Sequence, residues 1–308
     1  MAMKKFTDSP STVGLFANKM PWGNDRLNLH LLEHAIAAYN SDSEAARASG
    51  YSAATTIDRG AVEISIAGHQ NATVVAARGT DSFADVLHDI SATWRIGWTP
   101  PLPRRVIDPL DPLKLENFGR PRLGFGFRKQ AKKAALAVHK AVNDIGSQIR
   151  RAHRGRPWHQ RIYVTGHSLG GPVALALAAY LDKYRHEDQS IAGCVLFEPP
   201  RPGNEALARW AINTFRIATV AHAIRGEIDL ITRYPPSAIG AWHAGPVVIY
   251  DRDSSARMRA DAWRIHRRAH RVPRWRFITR RRIALRAHKA VQLRQTILKV
   301  IEEQKGGP

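Results

Sequence analysis

Gly166, His167, Ser168, Leu169, Gly170 and Gly171 stand in a row. They lie between a short apolar run at 161–165, which reads as a strand, and an Ala- and Leu-rich run at 169–184, which reads as a helix. In that setting a Gly-x-Ser-x-Gly sequence forms a tight strand-to-helix turn that pushes the Ser168 hydroxyl out at the carboxyl end of a sheet. Elsewhere the same five residues would be a chance glycine-rich turn. The N–H of Leu169 falls at a helix N-terminus and can stabilise a developing oxyanion. A serine hydroxyl needs a base, and the base an orienting acid; both follow the serine in this arrangement, acid first. Asp229 comes after an apolar run at 218–224, on a loop beyond a strand end, where it would also suit a turn or a cap. Four histidines follow it: His243, His266, His270 and His288.

The elements that must position these groups alternate. Residues 27–39 read as a helix, 61–67 as a half-buried strand and 72–77 as a central strand. Residues 127–149 carry a helical stripe of Phe127, Ala131, Ala135, Val138, Val142, Ile145 and Ile149. Strands follow at 191–197, 218–224 and 247–250, and a last helical pattern takes in Ala287, Ala290, Leu293, Ile297 and Ile301. Strand, helix, strand, helix, strand predicts an α/β domain with a largely parallel sheet. Residues 100–121 hold six prolines and cannot form one regular element.

Further blocks stand in order around these. Ala76 to Asp85 contains Arg78-Gly79-Thr80, Leu123-Gly124-Phe125 precedes the long helix, and Phe197 to Asn204 includes Pro200, Arg201 and Gly203. Asp229-Leu230-Ile231 is followed by Pro235-Pro236. With the serine turn, these blocks resemble the class 3 lipases, a family of fungal triacylglycerol lipases and bacterial relatives, over about residues 60–250. The resemblance implies an α/β-hydrolase fold, with a central, mostly parallel sheet flanked by helices. It implies that lipid carboxylic esters are cleaved, as by a lipase or phospholipase, with no cofactor and no metal. Ser168 would be the nucleophile, Asp229 the acid, and Thr80 the second oxyanion donor beside Leu169. His288, just ahead of the last helical pattern, resembles the family's base; His243 resembles a family feature at a strand start. Arg286 and Lys289 would depress the pKa of His288. Pro172, Glu198 and Val86 depart from the family's usual small residue, glycine and aromatic. Residues 83–100 correspond to a lid that opens at lipid surfaces, or else to a fixed helix.

The domain reading is an N-terminal extension at 1–25 and a single hydrolase domain at 26–303. Within it, 83–121 is a lid and proline-rich insertion, and 252–286 an arginine-rich segment. The 308 residues carry 47 Lys and Arg against 26 Asp and Glu, a net charge of +21. Residues 101–161 contribute +11 and 251–308 contribute +12, so the remaining segments sum to −2. Such an excess favours anionic lipid or, second, nucleic acid, with arginines interleaved by Trp263, Trp275 and Phe277 as the contact. The alternatives are a basic membrane- or nucleic-acid-binding protein on an idle hydrolase scaffold, and a phospholipase effector exported without a leader. A lone Cys194 excludes an internal disulfide framework. Lys4 and Lys5 are followed by Thr7, Asp8, Ser9 and Pro10 rather than an apolar stretch, so the expected compartment is the cytoplasm unless a leaderless route operates.

Overall fold

The computed structural model describes residues 24–40, 53–59, 62–69, 72–79, 121–152, 158–224, 227–235, 241–253, 256–260 and 289–305. Thr80, residues 83–100, most of the proline-rich passage, His266, His270 and His288 lie outside the described residues.

The uninterrupted apolar run at 72–77 forms β3 (Ala72–Ala77), buried at all six positions. Continuous apolarity is what a strand covered on both faces needs. It is flanked by β4 (Gln160–His167), β5 (Gln189–Phe197), β6 (Ile217–Ile224) and β8 (Val247–Asp251), in the order β3-β4-β5-β6-β8 and all parallel. Antiparallel strands extend this block at both edges: β1 (Ala53–Asp58) and β2 (Glu63–His69) on one side, β9 (Ala256–Ala260) on the other. A two-residue β7 (Glu227–Ile228) folds back on the end of β6. The parallel arrangement is thus central, and the edges are antiparallel.

Strand alternation divides the core into two layers. Val75, Ile162, Val164, Cys194, Leu196 and Ile217 point to one face. There they meet α2 (Phe125–Ala152), α3 (Gly170–Tyr184) and α4 (Glu205–Thr214). The stripe from Phe127 to Ile149 is the buried side of α2 throughout. Tyr163, Val195, Phe197, Val220 and Val248 point the other way. They meet α1 (Asp25–Ala37) and α5 (Ala290–Lys305) through Leu27, Leu31, Leu32, Leu293, Ile297 and Val300. Asp25 fastens this layer: Tyr250 Oη donates to it at 2.6 Å and Gln304 Nε2 at 2.9 Å.

Three differences from the expected elements have local causes. β2 is not half-buried but buried at most positions: α2 presses on one face so closely that a Cβ at Gly68 would strike Ile145, and Ser65 and Ala67 on the other face are buried as well. The exception, Glu63, ends in an ion pair with Arg78 at 2.5 Å. The sequence reading contained no helix at α4, which is capped by Asn204, whose Oδ1 accepts from Leu207 N at 3.0 Å. The arginine-rich segment, to which the sequence reading assigned no element, begins with β9, with Arg257 and Arg259 paired in register to Tyr250 and Val248.

Ile297→Ala is expected to cost about 3 kcal/mol, because the residue is fully buried between α5 and the sheet. Leu136→Ala, at a site 73% exposed, should stay within about 0.5 kcal/mol. Equilibrium urea unfolding of both variants measures the contrast.

Candidate active site

β4 ends at His167 and α3 starts at Gly170, so the turn between them consists of Ser168 and Leu169. Ser168 holds φ 55, in the left-handed region that a residue with a side chain seldom adopts. Two glycines allow it. A Cβ on Gly166 would strike the backbone of Gly170, and a Cβ on Gly170 would strike the carbonyl oxygen of Ala77 at the end of β3. The turn therefore lies backbone to backbone against the neighbouring strand. Ser168 N donates to Phe197 O at 2.9 Å, which fixes it to β5 on the other side. The N–H of Leu169 is among the first of a helix, where no intrahelical acceptor exists. Ser168 itself is fully buried.

Gly79 brings the chain to Ser168. A Cβ there would lie 3.1 Å from Ser168 Cβ and would strike the His167 carbonyl and the Tyr39 hydroxyl. Thr80, the next residue, is outside the described residues.

Asp229 is fully buried just after β7, where its N–H donates to His222 O at 2.9 Å. Its carboxylate accepts from Ile231 N at 3.0 Å and from Thr232 Oγ1 at 2.8 Å, with Thr232 N at 3.3 Å. These bonds hold it beside the last residues of β6. Arg201, also buried, ties the loop after β5 to this acid loop: its Nη1 donates to Arg233 O at 2.7 Å and Pro235 O at 2.5 Å. Burial first, then Arg233, lowers its guanidinium to about 10, so it stays charged at neutral pH.

Among the histidines, His243 is buried on the passage into β8. Its neighbours Ala244 and Gly245 lie against Thr219 and Ile217, the first residues of β6, whereas Asp229 lies against its last ones. His288 is outside the described residues, but Lys289 after it opens α5, where its carbonyl accepts from Gln292 N at 2.8 Å. Two turns into that helix, Thr296 Oγ1 meets His222 Nε2 at 3.0 Å.

The sequence reading gave no role to Tyr39, His167 and His222, or to Glu198 beyond its departure from glycine. Glu198 follows β5, is fully buried, and at φ 47 is the second described non-glycine residue with a left-handed backbone. Its Oε2 lies 2.8 Å from His167 Nε2, and His167 Nδ1 lies 2.8 Å from the Tyr39 hydroxyl. On its other side His222 Nδ1 stands 3.9 Å from Oε1. Burial and then the charge of Asp229 push the Glu198 carboxyl well above the usual carboxylate range. The signal in the sequence was a bulky acid in place of glycine.

The sequence model of the class 3 lipases matches residues 74–238, which include the serine turn, Glu198 and Asp229. The chain belongs to the class 3 lipase family. A stretch of 88 residues is 38% identical to a lipase of Rhizomucor miehei, covering 28% of this chain and 23% of that protein. The match thus spans about a quarter of the length of that curated relative. A refined structure of Rhizomucor miehei triacylglyceride lipase superimposes with a TM-score of 0.55 at 18% identity, covering 79% of this chain and 86% of that one. A mutant form of MDLA from Penicillium cyclopium gives a TM-score of 0.58 at 18% identity, covering 94% of this chain and 99% of that one. At that identity the likeness concerns the α/β-hydrolase fold. In this member of the family the turn with Ser168 and the loop with Asp229 stand at the carboxyl ends of β4 and β6.

The raised Glu198 carboxyl has a consequence for stability. From the ordinary value of 4.5 upward to its raised native value, the folded protein keeps a proton that the unfolded chain has lost. Native stability therefore falls with rising pH across that window. Glu198→Gln removes this dependence, so its Tm relative to the native protein should climb as pH rises from about 4.5. Thermal unfolding at a series of pH values tests this.

Proposed function

We propose that this chain hydrolyses carboxylic esters of lipids through an acyl-enzyme formed on Ser168. The observation that carries the reading is the left-handed Ser168, wedged by Gly166 and Gly170 between the ends of β3 and β5 and followed by a helix N-terminus. That backbone presents a hydroxyl and an N–H donor to one small volume, as attack and oxyanion binding require.

In this mechanism the Ser168 oxygen attacks the ester carbonyl while a histidine takes its proton. The base is His288: the helix it precedes reaches His222, whose carbonyl is bonded to Asp229. Asp229 orients the imidazole and stabilises its cation. Its own hydrogen bonds to Ile231 and Thr232 hold it in place. The Leu169 N–H and Thr80 hold the oxyanion. The alcohol leaves with the proton, and water then cleaves the acyl-enzyme. The full burial of Ser168 supports a cover that must move before a lipid enters, the role assigned to residues 83–100.

The arginine-rich segment at 252–286 is proposed to rest on anionic lipid, which the clustering of its charge supports. Binding to vesicles containing an anionic phospholipid should weaken at least tenfold when salt rises from about 0.1 to 0.5 M, where the Debye length falls from ~10 Å to about 4 Å. A sedimentation assay reads this out.

Ser168→Ala is expected to lower turnover by about 10⁴-fold or more on a panel of soluble esters, triglycerides and anionic phospholipids. It should also abolish labelling by a fluorophosphonate. Full esterase activity in that variant would refute the reading. Labelling absent from the native protein would favour an idle scaffold instead.

A further inference from the structure

Glu198 is a costly residue where it stands. It holds a left-handed backbone at φ 47 that glycine would hold without strain, and it places a carboxyl where no water reaches. A costly local arrangement beside a reactive serine points to a role. The role can be traced through contacts. The carboxyl bonds His167 at 2.8 Å, and His167 bonds the Tyr39 hydroxyl at 2.8 Å. That hydroxyl occupies the space behind Gly79, where even one added carbon would collide with it. The same added carbon would lie 3.1 Å from Ser168 Cβ. His167 is also the residue directly before Ser168, and Ser168 N is bonded to Phe197 O, directly before Glu198. The three side chains therefore form a rigid link from the end of β5, under the nucleophile turn, to the chain that enters Thr80.

We infer that Glu198 is a positioning residue, which acts through His167 and Tyr39 to fix the backbone at Gly79 and so the oxyanion donor that follows it. The inference rests on the hydrolase reading above. Burial beside Asp229 pushes the Glu198 carboxyl up, which favours its protonated form and so sets the direction of the link. Glu198 Oε2–H donates to His167 Nε2, and His167 Nδ1–H donates to the Tyr39 oxygen. Asp229 is left available to the catalytic base. A displacement of the oxyanion donor by a fraction of an ångström is enough to slow turnover, because such donors act on the transition state rather than on bound substrate.

The experiment compares Glu198→Gln, Glu198→Gly, Tyr39→Phe and the Glu198→Gly/Tyr39→Phe double variant on a soluble ester. Each is assayed well below its own Tm, with Ser168→Ala as blank. Glutamine can donate to His167 Nε2 as the protonated acid does, so Glu198→Gln should keep kcat within about threefold of native. Glu198→Gly and Tyr39→Phe should each lose about tenfold in kcat with KM within about twofold, well inside the ~10²–10³ attached to a whole oxyanion donor. The double variant should fall no further than the slower single one, because both break the same link. Unchanged kcat in Tyr39→Phe, multiplied losses in the double variant, or a change confined to KM would each overturn the inference. Tyr39→Phe removes one oxygen and decides the matter even if Glu198→Gly fails to fold. Native hydrolysis above the blank is established first, and its absence overturns the hydrolase reading together with this one.

Discussion

The left-handed backbone of Ser168 is the constraint on which the surrounding architecture depends. A residue with a Cβ held there costs about 1–3 kcal/mol, and it persists only where neighbours over-determine it. Here they do so from both sides. On one, Gly170 lies against the carbonyl end of β3 so tightly that no side chain fits between. On the other, Ser168 N is bonded to the last carbonyl of β5. β3, β4 and β5 must therefore be adjacent and parallel, with their carboxyl ends level, before the turn can exist. The helices α2 and α3, which supply the right-handed crossovers between these strands, follow from that requirement.

The acid side of the site is fastened in a different way. Asp229 is held by short-range bonds to Ile231 and Thr232, and its loop is tied down at a distance by Arg201 from the loop after β5. Burying a guanidinium is tolerable because backbone carbonyls of that loop accept its protons. Between these two anchored loops stands Glu198, flanked by His167 and His222. The end of β5 thus provides a carbonyl for the serine turn, a carboxyl for the network beneath it, and, three residues on, the arginine that steadies the Asp229 loop.

The charge of the molecule belongs to other surfaces. Arg128, Lys129, Lys132 and Lys133 all stand on the exposed side of α2, whose first turn carries no acid. Cations near a helix N-terminus oppose its dipole, so their placement does not serve helix stability. The buried carboxyl groups at the site lie inside the fold, while the cations of α2 named above are exposed and much of the excess of +21 comes from the arginine-rich segment of the sequence. Among the described residues no helix is long and apolar enough to cross a membrane.

The sequence by itself determined whatever depends on local periodicity and on short runs of special residues. The α2 stripe, the apolar runs of β3, β4, β5, β6 and β8, and the glycine-flanked Ser168 are of this kind, because each sets its own backbone or its own buried face. It did not determine β1 or β9, whose short, mixed stretches become strands only because a neighbouring edge offers hydrogen bonds. α4, with its Asn204 cap, is in principle legible, but its apolar positions are few. The network of Tyr39, His167, Glu198 and His222 was decided by tertiary structure alone. Its members are separated by up to 183 positions in the chain, and only the level ends of β4, β5 and β6 bring Tyr39, His167 and Glu198 into hydrogen-bonded contact and His222 to 3.9 Å from Glu198. From the sequence, Glu198 was merely a departure from glycine; the fold makes it a buried acid at φ 47 beside the serine turn.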